Sequence, residues 1–169
     1  MTFTRAQIAD VCRDNAHTLP ASLESIGINR AQLLFALSGN ESTFGANPVP
    51  RHEPSWDIGG SFYAESAIQR SLVKEYGSHA ACSYGPWQLA FFNFKQPVSP
   101  EQCSALEIAV VNTAAYLESL IVKHSLTTLE SIGVCWNHGS PMAILTPGVS
   151  AYVAELRANY NVPLPNTEE

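Results

Sequence analysis

Short polar caps followed by apolar residues at three- and four-residue spacing recur along this 169-residue chain, while alternating strand patterns are scarce. That pattern predicts a mainly α fold. Ser104-Ala105-Leu106-Glu107 has the spacing of a capping box and opens the strongest candidate helix, with Ile108, Val111, Ala115, Leu117, Leu120 and Ile121 mostly on one side. Thr4-Arg5-Ala6-Gln7 leads in the same way into Ile8, Val11 and Cys12. Asn29 precedes a segment carrying Leu33, Leu34 and Leu37, which should run to about Glu41 before Gly45 and Pro48 break it. Further helices are expected over Glu65 to Tyr76, closed by Gly77, from Thr127-Thr128-Leu129-Glu130 to near Gly139, and over Ser150 to Tyr160. Pro86 suits the first turn of a short helix bearing Trp87, Gln88 and Leu89. Residues 45–62, rich in Pro, Gly and polar groups, read as a long loop or a small hairpin inserted after the Glu41 helix.

No repeat, low-complexity stretch or linker divides the chain, so residues 1–169 are expected to form a single domain around one core. A hydrophobic share of 46% against 14% charged residues excludes a disordered chain. The formal net charge of −6 offers no general attraction to nucleic acid or anionic membranes, and no apolar run has the length of a membrane span. The first residues, Met1-Thr2-Phe3-Thr4-Arg5, lack the apolar stretch of a secretory signal, which fits a cytosolic product, a virion component or a mature fragment. Cys12, Cys82, Cys103 and Cys135 form no Cys-x-x-Cys pair. They can be free buried thiols or disulfides, with Cys82 and Cys103 the first pairing to test.

Glu41, in Asn40-Glu41-Ser42-Thr43-Phe44, stands where the negative end of a helix dipole favours a protonated carboxyl. Partial burial against Phe44 would push the same way. A glycosidic bond needs such a proton donor near neutral pH. Three other segments carry suitable side chains: Gly85-Pro86-Trp87-Gln88, Cys135-Trp136-Asn137-His138-Gly139 and Ser150-Ala151-Tyr152-Val153. Taken singly, each has a plainer use. Trp87 and Trp136 can be core, Gln88 and Asn137 can cap helix ends, and Tyr152 can pack.

In order, these segments resemble the soluble lytic transglycosylase and goose-type lysozyme family of the lysozyme-like superfamily. Glu41-Ser42-Thr43-Phe44 matches its Glu-Ser-x-aromatic helix end. Gly85-Pro86-Trp87-Gln88 keeps the Gly and Gln of Gly-Leu-Met-Gln, and Tyr116-Leu117 keeps the end of a shortened Asn…Tyr-Leu pattern. Trp136-Asn137-His138-Gly139 mirrors an aromatic-Asn-Ala-Gly motif, and Ser150-Ala151-Tyr152-Val153 a Thr-x-x-Tyr-Val signature. The resemblance spans about residues 30 to 160, with a longer Glu41–Gly85 stretch and Trp87 replacing Met.

The resemblance implies a lysozyme-like helical domain that cleaves the β-1,4 bond between N-acetylmuramic acid and N-acetylglucosamine in peptidoglycan. Glu41 would be the catalytic acid, with no cofactor and no metal. Ser42, Trp87, Gln88, Trp136, Asn137 and Tyr152 would line the substrate site. A lytic transglycosylase needs no second carboxylate, whereas a hydrolytic muramidase would use one such as Asp57, although an Asp before Gly59-Gly60 also suits a plain turn. The same scaffold could instead be a catalytically silent wall-binding module. The partners implied are peptidoglycan glycan strands and, for so acidic a chain, a phage virion or a cell-wall component that delivers it. Size and the missing signal suit a bacteriophage lytic enzyme, with a periplasmic or extracellular bacterial one as the other reading. Other chemistry lacks its motifs: Gly-x-Ser-x-Gly, phosphate-binding glycine loops and His-Glu-x-x-His are all absent.

Overall fold

Thr4 folds as its spacing predicts. Its hydroxyl accepts from the Gln7 backbone amide at 3.2 Å, and the Gln7 side-chain Oε1 accepts from the Thr4 backbone amide at 2.9 Å. This box starts α1 (Arg5–Asn15), which buries Ile8, Ala9 and Cys12. The computed structural model describes residues 2–95, 98–142 and 145–166; among them are eight α-helices and one three-stranded sheet, a mainly helical fold. A short α2 (Ser22–Ser25) precedes α3 (Arg30–Ser42), whose Asn29 cap accepts from Gln32 N at 2.9 Å. Leu33 through Leu37 are all fully buried, so α3 is apolar on every side at its middle and runs through the core. Around it pack α1 and α8 (Pro147–Tyr160), while α6 (Leu106–His124) packs on α1 and α7 (Leu129–His138) on α8.

The expected boundaries shift where local bonding outcompetes the pattern. Ser104 does not cap α6: Gln102–Ser104 already turns as a 3-10 helix, and Ala105 takes the cap position without a side-chain bond. Val111 faces solvent, because the buried stripe of α6 is Ala109, Val110, Ala114, Leu117, Leu120 and Ile121. Thr128 caps α7 in a box with Ser131 rather than Glu130, and Gly139 ends the helix at φ 72°. Thr146 and Pro147 start α8 a turn earlier than expected. Residues 61–76 form two helices, α4 (Ser61–Glu65) and α5 (Ala67–Tyr76), because the Ser66 hydroxyl accepts from Gln69 N and restarts the chain.

The largest departure concerns Pro86. Its segment is no helix but the turn between β2 (Cys82–Tyr84) and β3 (Leu89–Ala90), closed by Gln88 N donating to Gly85 O at 3.1 Å. Gly85 at φ 72° is obligatory there, since a Cβ would lie 2.8 Å from the Ala109 Cβ on α6. The antiparallel partner of β2 on its other side is β1 (Arg51–His52), with Arg51 opposite Ser83. Residues 45–62 thus contribute one strand to a sheet completed thirty residues later, and form no hairpin of their own.

Three hydrophobic clusters result among the described residues. The largest joins α1, α3, α6 and α7; a second lies against the sheet and α5, around Leu72, Tyr84, Leu89, Phe91 and Phe94; a small third, of Val134, Val149 and Val153, lies between α7 and α8. Tyr116 and Trp136 pack against the first two. All four cysteines are free, so the expected test pair Cys82–Cys103 is not joined. No helix of the described residues is long and apolar enough to cross a membrane.

Candidate active site

Glu41 is the penultimate residue of α3, and the chain turns sharply behind it. Thr43, Phe44 and Gly45 all adopt left-handed backbone conformations, at φ 55°, 56° and 79°. Ser42 fastens that turn: its hydroxyl donates to Ser38 O at 3.1 Å and accepts from Gly45 N at 2.9 Å. Beside it, Asn40 ties α3 to α8, donating to Tyr152 O at 3.0 Å and accepting from the Asn159 amide at 2.8 Å. Gly39 permits this contact, because a Cβ there would lie 2.7–2.8 Å from Phe44 and Asn159.

Two donors from different helices converge on the Glu41 carboxyl. Trp136 Nε1 on α7 donates to Oε1 at 3.0 Å, and the Tyr152 hydroxyl on α8 donates to the same oxygen at 2.7 Å. Burial raises the Glu41 pKa above the ordinary carboxylate value; the bonds from Tyr152 and Trp136 and the charge of Arg51 oppose it, and Glu155 adds to it. Because Oε1 accepts both bonds, the proton of the neutral acid belongs on Oε2. Burial, together with Glu41, also pushes the Tyr152 phenol well above its usual value, so it stays a donor. Tyr116 braces the indole of Trp136 edge-on, with ring centroids 5.8 Å apart.

The carboxyl opens into a cleft of about 600 Å³, within the usual range of small-molecule sites. Asn40, Glu41, Trp136, Asn137, His138, Gly139 and Tyr152 contribute from the helices. Arg51, Glu53, Trp56, Phe62, Gln88, Leu89, Ala90, Phe92, Asn93 and Tyr116 complete the lining. The Arg51–Glu53 ion pair, 2.6 Å, cancels its own charge. With Glu41 inclined to neutrality, the cleft is far less acidic than the chain as a whole.

Glu41, Gln88, Trp136, Asn137 and Tyr152 are therefore brought together, as the sequence suggests. Three other expected residues are not. Trp87 is fully buried and donates through Nε1 to Leu34 O at 2.7 Å, as part of the core under the hairpin turn. Ser42 is buried in the α3 turn. Asp57 lies outside the cleft lining, where His52 Nε2 at 2.8 Å and the Ile58 amide at 2.7 Å hold its carboxylate and lower its pKa. The carboxylate the fold does bring into the lining is Glu53, two residues from Arg51 as strand-like spacing allows. Gln88 reaches the cleft, but its amide is committed: it donates to Gly85 O and Val49 O and accepts from Ser83 Oγ. It shapes the turn and has little left to offer a ligand. Tyr116 carries a signal as part of the Tyr116-Leu117 pair, whereas Trp56, Phe62 and Phe92 have none stronger than their type, although Phe91-Phe92-Asn93-Phe94 is the densest aromatic run in the chain.

Among the described residues no cluster of His, Cys, Asp or Glu could hold a metal ion. Comparison with protein-family models, with curated proteins and with solved structures returned no match for this chain.

Proposed function

We propose that this protein cleaves the β-1,4 bond between N-acetylmuramic acid and N-acetylglucosamine in peptidoglycan, acting as a lytic transglycosylase with Glu41 as its one catalytic carboxyl. The observation that carries this reading is the Glu41 site itself: a carboxyl whose pKa burial raises, lining a cleft, with both its protein donors on a single oxygen. Such an acid is neutral at a pH where an exposed glutamate is charged, and its free oxygen can present the proton to a bridging oxygen. Glu41 Oε2 protonates the leaving oxygen as the C–O bond breaks, and the substrate's own acetamido group can stabilise the oxocarbenium-like centre. The resulting carboxylate then takes the proton of the muramyl 6-hydroxyl, whose oxygen closes the 1,6-anhydro ring. Trp136 and Tyr152 hold Oε1 through both steps. Asn137, exposed at the cleft edge, is free to bond sugar amides.

A hydrolytic outcome has one observation in its favour, the second carboxylate of Glu53 in the same lining. Paired with Arg51, it could orient a water for attack in place of the 6-hydroxyl. Mass spectrometry of released muropeptides separates the two: anhydromuramic ends are expected, and reducing muramic ends alone would replace the lyase with a muramidase. Glu41→Gln keeps the shape and the Oε1 contacts but removes the acid. It is expected to lower clearing of purified peptidoglycan at least about a hundredfold while binding is retained. If the parent protein clears nothing yet binds, it is a silent wall-binding module.

A further inference from the structure

Three aromatic side chains of the cleft take no part in holding Glu41. The Phe92 ring lies 5.1 Å from Trp56, edge-on at 79°, and 5.0 Å from Phe62 at 33°. All three are partly exposed, and Trp56 and Phe62 belong to none of the three hydrophobic clusters. Their apolar area is thus left inside a concavity that also holds polar groups, the usual make-up of a ligand-contact surface.

The surface is also held rigidly from behind. Gln69 on α5 has no exposure, and its Nε2 donates to Trp56 O at 2.8 Å and to Ala80 O at 2.9 Å. Its Oε1 is buried without a partner, a cost that the fold carries while the amide pins the Trp56 backbone to the segment before β2. Trp56 N adds a bond to Glu53 O at 2.9 Å, so the indole and the Arg51–Glu53 pair are set on one short rigid turn.

We infer that Trp56, with Phe62 and Phe92, forms a second glycan-contact site that seats the apolar C–H face of an N-acetylated pyranose other than the two flanking the bond at Glu41. This rests on the reading of the cleft as a glycan site. Two features favour a sugar over the peptide stem. The aromatic cluster is continuous with the lining that holds Glu41, along which a polymeric glycan would run. The neighbouring charges form a closed pair, which supplies donors and acceptors for hydroxyl and acetamido groups and has no net charge to select an ionic peptide.

The test uses chitohexaose, which carries no peptide, and measures binding by calorimetry in a Glu41→Gln background so that turnover does not interfere. Trp56→Ala is expected to weaken hexamer binding about tenfold, a typical loss for an aromatic anchor. Trp56→Leu, which keeps apolar bulk without a flat face, should weaken it similarly, and Trp56→Phe should retain most of it. Thermal melts on the same proteins check that each is folded, and the Leu variant carries the test if the Ala variant is not. Binding by both the Ala and Leu variants as tight as the parent's overturns the inference. So does a parent that binds peptidoglycan but not chitohexaose, which would assign the aromatic cluster to the peptide stem. A parent that binds the hexamer through Trp56 yet never cleaves peptidoglycan refutes only the proposed activity.

Discussion

The Tyr152 hydroxyl works against the burial that raises the Glu41 pKa, because a hydrogen bond donated to a carboxylate stabilises its charged form. Tyr152→Phe removes that opposition, so the Glu41 pKa should rise further. An acid catalyst is active while protonated and loses activity as pH climbs through its pKa. The alkaline limb of the pH–rate profile is therefore expected at higher pH in Tyr152→Phe than in the parent, and a limb displaced downward would exclude Glu41 as the titrating acid. The maximal rate should fall by about ten- to a hundredfold, since one of two tethers on the carboxyl is gone. Glu41, Trp136 and Tyr152 could be singled out in the sequence because each sits in a short motif on an expected helix. Trp87 and Ser42 misled because a motif position says which residue type is present, not which way it points. The backbone around Gly85 and Gly45 turns both inward, toward Leu34 and Ser38.

Helices were readable wherever a cap and an apolar stripe agreed, as in α1, α3 and α7. The sheet was not. β1 and β3 are two residues each and β2 is three, too short for an alternating pattern to register. The pairing of Arg51 with Ser83 depends on contacts remote in sequence. A glycine followed by proline, as at Gly85-Pro86, fits a helix start and a hairpin turn equally well by residue type; contact with Ala109 on α6 decides it. The same sheet brings Arg51 and Glu53 into the cleft, which explains why Asp57, plausible by type, lost its place to a neighbour. The α3–α8 contact is the element-level hinge of the site. Gly39→Ala would drive a methyl group into Phe44 and Asn159, and is expected to cost about 1–3 kcal/mol in urea unfolding. Activity should fall with it, as Asn40 and Glu41 are displaced from α8. A variant as stable and active as the parent would show the two helices able to part without consequence.

Across the whole molecule, charge is distributed unevenly: a formal −6 overall, but within the cleft a closed ion pair and a carboxyl whose burial favours its neutral form. An anionic wall should repel the protein at long range while its cleft remains indifferent. Raising ionic strength from about 0.01 M to about 0.15 M shortens the Debye length from about 30 Å to about 8 Å. Clearing of whole walls should quicken over that range, whereas binding of uncharged chitohexaose should stay flat. Salt dependence of equal size for both ligands would place the repulsion in the cleft instead. A last consequence comes from the turn behind Glu41. Thr43 and Phe44 are L-residues in left-handed backbone, a conformation disfavoured by roughly 1–2 kcal/mol per residue. The Ser42 hydroxyl, backbone bonds from Thr43 N to Gly39 O and from Phe44 N to Ser38 O, and burial of the Phe44 ring against Phe35 in the main core hold them there. Because Phe44 is itself a core residue, this knot and the core should let go together on warming, so the catalytic rate and the circular-dichroism signal are expected to fall at the same midpoint, and a rate lost well before that midpoint would show the turn opening alone. The stored strain behind the carboxyl would then be as durable as the core that Phe44 helps to fill.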